Sequence, residues 1–223
     1  MLHTLGIHDL GLFMLTGLVL NLTPGADTLL VVSRSAAGGW RQGALAALGI
    51  QLGCLVHATA AALGVAALLA ASAQAFRVLT WVGAAYLAWL GVKMLREGVW
   101  PARAAAGAGT NGAPGSAIAA PRSARNAFMQ GLLTNVLNPK VGLFFLAFVP
   151  QFIRPDAASP VAAFLTLGVV FDLTGGTWLM IVAALTVRLR SAVSPRLGRW
   201  LQGLGGALFL GLAWRLATDR KGV

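Results

Sequence analysis

Charge is scarce in this sequence. Asp, Glu, Lys and Arg make up 10% of its 223 residues, against about 25% in an ordinary soluble domain. That shortage excludes a self-contained soluble domain. Cysteine is scarcer still: Cys54 stands alone, which rules out a disulfide framework, a Cys-x-x-Cys redox pair and a cysteine metal cluster. Histidine occurs three times, twice within the first eight residues, too sparsely for a histidine metal site. The opening residues, MLHTLGIHDL, lack the basic start and cleavage site of a signal peptide, so the first apolar segment is expected to stay in the mature protein.

What the sequence does have is apolar surface. Hydrophobic residues are 57% of the chain and mean hydropathy is +0.77, so the chain must bury itself in lipid as well as against itself. The net charge of +11 would suggest nucleic acid in a soluble protein. Here the cations cluster in short segments between apolar runs, which is the pattern of a membrane topology signal, so no nucleic-acid partner is expected.

Reading from charge to charge gives six apolar segments, over 10–33, 43–70, 78–94, 127–148, 162–187 and 200–215. The loops after the first, third and fifth carry 11 Lys and Arg and the opposite side carries 5, with Lys140 left inside a span. The heavier side is expected to be cytoplasmic, with both termini periplasmic. A shift of 115 residues superposes Pro24 on Pro139, Gly53 on Gly168, Gly91 on Gly206 and His57 on Asp172. Three spans per half makes the halves inverted, as in many transporters. The fold expected is therefore all-α: a polytopic membrane protein with six transmembrane helices in two inverted three-helix repeats, 1–99 and 126–223. A flexible cytoplasmic linker of Ala, Gly and Pro, within 100–125, joins them.

The first span is interrupted by Asn21-Leu-Thr23-Pro24-Gly25-Ala-Asp27. Proline removes a backbone donor and unpairs a carbonyl one turn earlier. Asn21 and Thr23 could satisfy the freed groups, and the next half-helix would present its positive end to the protein interior, where an anion can bind. A kink that merely shapes packing is the plainer reading. The fourth span repeats the device, with Asn135-Val-Leu-Asn138-Pro139-Lys140, and broken helices at matching places in two halves point to a midplane binding site. Lys140 must snorkel, pair internally with Asp27 or Asp172, or meet a substrate carboxylate. Asp172 lies at the middle of 157–187, followed by Thr174-Gly175-Gly176. Desolvation there disfavours a charged carboxylate unless Lys140 compensates, so Asp172 could exchange a proton near neutral pH. His57 is the other candidate for proton coupling, although a lone histidine on an apolar helix is more often a hydrogen-bonded core residue. Gly49-xxx-Gly53 reads as close helix packing and Cys54 as a small core residue.

The motifs Asn21-x-Thr23-Pro24-Gly25, Arg41-x-Gly43, Gly83-Ala-Ala-Tyr86-Leu-x-Trp-Leu-Gly91, Gly131-xxx-Asn135-xx-Asn138-Pro139-Lys140 and Phe145-xxxx-Pro150-Gln-Phe152 together resemble the LysE/RhtB family of bacterial amino-acid exporters. The resemblance spans both halves. It implies a six-span inner-membrane protein that exports amino acids or close derivatives, driven by the proton gradient and without an organic cofactor. Ala26 departs from the family pattern, which commonly has a second proline after the glycine.

The resulting expectation is a secondary transporter, not an enzyme, with amino-acid substrate, protons and the lipid bilayer as partners; a homodimer is compatible with it. Substrate would be bound at Asn21, Thr23, Pro24, Gly25, Asp27, Asn135, Asn138, Pro139 and Lys140, with proton coupling at Asp172 or His57. Two rivals fare worse. A membrane oxidoreductase needs a cysteine pair or a haem-ligating histidine pair. An exporter of metal or other inorganic ions wants several midplane carboxylates or soft ligands, and only Asp27 and Asp172 are on offer.

Overall fold

The computed structural model describes residues 5–72, 123–154 and 156–188 continuously, with single positions between 74 and 96 and between 207 and 214. The third and sixth spans and the linker therefore lie largely outside the described residues. Those described are helical, apart from loops and an isolated antiparallel bridge between Ile7 and Ile153. Six helices carry the account: α1 (Leu10–Leu22), α2 (Ala26–Gly38), α3 (Trp40–Ala71), α4 (Ala124–Val136), α5 (Pro139–Leu143) and α6 (Pro160–Arg188). α3 and α6 are each long and apolar enough to cross a membrane. The pairs α1/α2 and α4/α5, the latter counted through Phe152, reach that length as bent units, turning by 50° and 48° at their breaks. The family of helices is that of a polytopic membrane protein.

Both breaks have one local cause. A proline forces the residue before it out of the helical region, and Thr23 (φ −70°, ψ 117°) and Asn138 (φ −81°, ψ 105°) are both extended. Gly39, at φ 78°, ends α2 in a conformation a side chain would strain, and the chain turns directly into α3.

α3 and α4 pack closest. Gly49 faces the Phe128 carbonyl, Gly131 faces the Ala46 carbonyl, and a methyl at Gly53 would come within 2.9 Å of Asn135 Cβ. The small residues thus bring two backbones together where lipid offers no hydrophobic drive for association. Beyond α5 the helix widens into one π turn (Phe144–Phe148) and then tightens to 3-10 (Val149–Phe152). The π turn lets Phe144, Phe145 and Phe148 all face inward. They join Phe13, Phe152, Phe164 and Phe171 in a chain of ring contacts, among them Phe144 stacked on Phe171 at 4.4 Å and Phe13 edge-on to Phe152 at 5.3 Å. This aromatic cluster is the heart of one apolar core. A second core is packed by small aliphatics, Val31, Ala46, Ala47, Ile50, Leu179, Val182 and Ala183, and an exposed bond from Arg34 to Gln130 ties α2 to α4.

Candidate functional site

Between the two apolar clusters lies a cavity of about 60 Å³. On this measure one water needs about 10–15 Å³, so there is room for a small polar molecule or a handful of waters. Both breaks reach it. Asn21, Thr23, Gly25 and Asp27 come from the first, Asn135, Asn138 and Lys140 from the second, and Asp172 from α6. Pro24, Pro139 and His57 do not line it; the prolines act by bending the chain.

At the first break the missing N–H of Pro24 would have served the carbonyl of Leu20, four residues earlier. Lys140 replaces it: its Nζ donates to Leu20 O at 3.1 Å and to Thr23 O at 3.4 Å. A cation from the second break thus serves the carbonyls this break leaves open. This corrects the expectation that Asn21 and Thr23 would do so. Thr23 instead bonds back to Val19 O at 2.7 Å, and Asn21 Nδ2 is buried with no partner. α2 then begins at Gly25, which has no side chain to cap the helix, so its first N–H groups remain available beside the cavity.

The second break is built differently. Asn138 accepts a bond from Lys140 N at 3.1 Å, closing the start of α5 with its own side chain. It does not present a free helix end for an anion, as the repeated motif had suggested. Its contribution is side chains: Asn138 Nδ2 and Asn135 Nδ2 donate to Asp27 Oδ2 at 3.2 and 2.9 Å. Asp27 Oδ1 and Asn135 Oδ1 remain buried without partners. Lys140 lies close enough to Asp27 to interact with it electrostatically.

Asp172, 9% exposed, takes a hydrogen bond from the Cys54 thiol on α3. Of the two carboxylates expected as partners for Lys140, Asp27 is the one that interacts with it, while Asp172 is met by the Cys54 thiol. His57 bonds through Nε2 to Asn135 O at 3.0 Å, between α3 and α4 and behind the cavity wall. Sequence reasoning missed Gln51, Thr28 and Trp178 as lining residues, and it treated Cys54 as core filler. Gly175 and Gly176 were the available signal. Asn21's amide lies within 3.2 Å of where a Cβ on Gly175 would stand, and Gln51's amide occupies the corresponding place at Gly176. Among the described residues no group of three or more His, Cys, Asp or Glu could hold a metal ion.

The geometry can hold a zwitterion. Unpartnered oxygens of Asp27 and Asn135 belong to residues that line the same cavity as Lys140, Asn21 and the uncapped start of α2.

The family model described as LysE type translocator matches residues 18–220. A membrane protein of Pseudomonas aeruginosa is 37% identical over 217 residues, covering 96% of this chain and 97% of its own. The homoserine/homoserine lactone efflux protein of Salmonella typhi is 30% identical over 93% of this chain and 95% of its own. The leucine efflux protein of Enterobacter sp. strain 638 is 30% identical over 96% and 97%. No solved structure matches the chain.

Proposed function

The chain belongs to the LysE type translocator family, and from that premise we propose that it exports neutral amino acids or close derivatives across the bacterial inner membrane by proton antiport. The observation that carries this reading is convergence: the polar residues of both broken helices and the midspan Asp172 meet in one cavity. Efflux proteins for leucine and for homoserine are among its relatives at 30% identity, and both are neutral zwitterions with short side chains.

In this reading the substrate ammonium meets Asp27 Oδ1 and Asn135 Oδ1. Its carboxylate lies at the uncapped start of α2 by Gly25, with Asn21 and Lys140 beside it. Asn138 holds Asp27, and Thr23 and the two prolines hold the breaks open. Asp172 carries the coupling proton: protonated it favours the empty carrier's return, ionised it favours the loaded carrier. His57 positions Asn135 through its carbonyl. The two halves are inverted three-span repeats, 1–99 and 126–223, and the 11 to 5 distribution of Lys and Arg sets both termini on the periplasmic face.

Inside-out vesicles with labelled leucine and homoserine test the proposal. An acid-inside gradient should drive accumulation by the wild type. Asp172→Asn should lose that drive while keeping substrate exchange at equal pH. Uncoupler-sensitive accumulation by Asp172→Asn with the wild-type pH profile would refute the coupling assignment.

A further inference from the structure

α1 ends at the first break with the negative pole of its dipole, and its own last turn holds no basic residue to balance it. Val19 O is served twice by Thr23, through its N–H and its hydroxyl. Leu20 O and Thr23 O are left to Lys140, whose Nζ donates to both, at 3.1 and 3.4 Å. The same ammonium interacts electrostatically with the Asp27 carboxylate at the start of α2. It lies 3.7 Å from where a Cβ on Gly25 would stand, so it is held at the break itself.

Unwound backbone carbonyls and the C-terminal end of a half-helix are what broken-helix transporters use to hold a sodium ion. A carboxylate beside them completes a set of oxygens suited to a hard cation. The two carbonyls alone ask only for a hydrogen-bond donor, which a neutral amide would supply as well. Asp27 and the end of α1 ask for positive charge, which it would not. Lys140 meets both demands from a stem that reaches across from α5.

We propose that Leu20 O, Thr23 O and the Asp27 carboxylate form a site for a small monovalent cation, and that this chain fills it permanently with the ammonium of Lys140 in place of a free sodium ion. The assignment goes beyond the export reading and does not need it. Its consequence is that removing the ammonium opens the site to sodium or to a small alkylammonium, whereas the wild type has no use for either.

The test melts purified full-length protein in detergent with sodium chloride, methylammonium chloride or N-methylglucamine chloride at equal ionic strength, the last cation being too bulky for a cavity of about 60 Å³. Sodium and methylammonium should raise the midpoint of Lys140→Ala saturably, by about 3 °C or more at ten times their dissociation constants. The wild type should melt alike in all three salts, and adding Asp27→Asn to Lys140→Ala should abolish the response. A Lys140→Ala protein that melts alike in all three, or that folds in none of them, overturns the inference. An equal sodium response from the wild type or from the Asp27→Asn double variant does so too. In proteoliposomes, wild-type counterflow of leucine or homoserine should be the same in sodium and in N-methylglucamine, and counterflow that needs sodium contradicts the inference. Counterflow of neither amino acid in any salt overturns the export reading instead and leaves the melting series to decide this one.

Discussion

The two proline breaks lie 115 residues apart and bend their helices by 50° and 48°, yet they leave opposite chemistry behind. At the first, Thr23 bonds backward to Val19 O, Gly25 cannot cap the next helix, and the carbonyl abandoned by Pro24 needs help from elsewhere. At the second, Asn138 bonds forward to Lys140 N and closes its own helix. It thereby frees the second break to support the first: Lys140 donates to Leu20 O, and Asn135 and Asn138 donate to Asp27. Equal bends therefore do not make equal sites. One break leaves groups open and the other supplies their partners, and the residue before each proline bonds in the opposite direction.

The largest effect should come from cutting that supply. Lys140→Met strands the Leu20 carbonyl and removes the cation beside Asp27, so counterflow should fall at least a hundredfold and thermal stability in detergent by about 1–3 kcal/mol. Adding Pro24→Ala returns an N–H to that carbonyl, and the double variant should regain about 1 kcal/mol of the stability without regaining transport. Strict additivity of the two stability changes would break the link between Lys140 and the proline gap.

Next in size is the contrast between the prolines. Pro24→Ala should reduce counterflow below one-hundredth, because a continuous first helix removes the uncapped start of α2. Pro139→Ala should reduce it by about tenfold, since Asn138 still caps α5. Equal losses would erase the asymmetry. Asn138→Ala should then cost about 1 kcal/mol of stability as a lost cap, together with a several-fold rise in KM through Asp27. The smallest effect belongs to His57→Gln: a two- to threefold rise in KM with unchanged pH dependence, measured in the same vesicles. A changed pH profile would return His57 to the coupling path.

Much of this was legible in the sequence. Proline with flanking Asn, Thr and Gly inside an apolar run announces a break wherever it occurs, and a carboxylate at the centre of 157–187 has few purposes in lipid. Gly49 and Gly53 could be read because close backbone approach needs residues without side chains; Gly131, their counterpart on α4, was seen only as part of a motif. The partner of the orphaned carbonyl could not be read. Pro24 identifies Leu20 as the group left unserved, but nothing local identifies a lysine 120 residues away as its donor. The difference between the breaks was overlooked because both were read as one motif, while the direction in which Thr23 and Asn138 bond is fixed by side-chain geometry. Gln51 and Trp178 escaped because neither carries charge, and the π turn because it depends on how seven phenylalanines pack together rather than on any local propensity.

The central claim, that the cavity between the two breaks is where the cargo binds, has a native reporter. Cys54 is the single cysteine in the chain and it lines that cavity. The measurement is the rate at which a small methanethiosulfonate reagent modifies Cys54 in purified, reconstituted wild-type protein, with and without saturating homoserine or leucine. Binding in the cavity predicts several-fold protection by whichever amino acid the protein transports, at concentrations that match its KM, and none by a charged amino acid that it does not transport. Modification at the same rate with a transported amino acid present, or no modification during turnover, would contradict the claim.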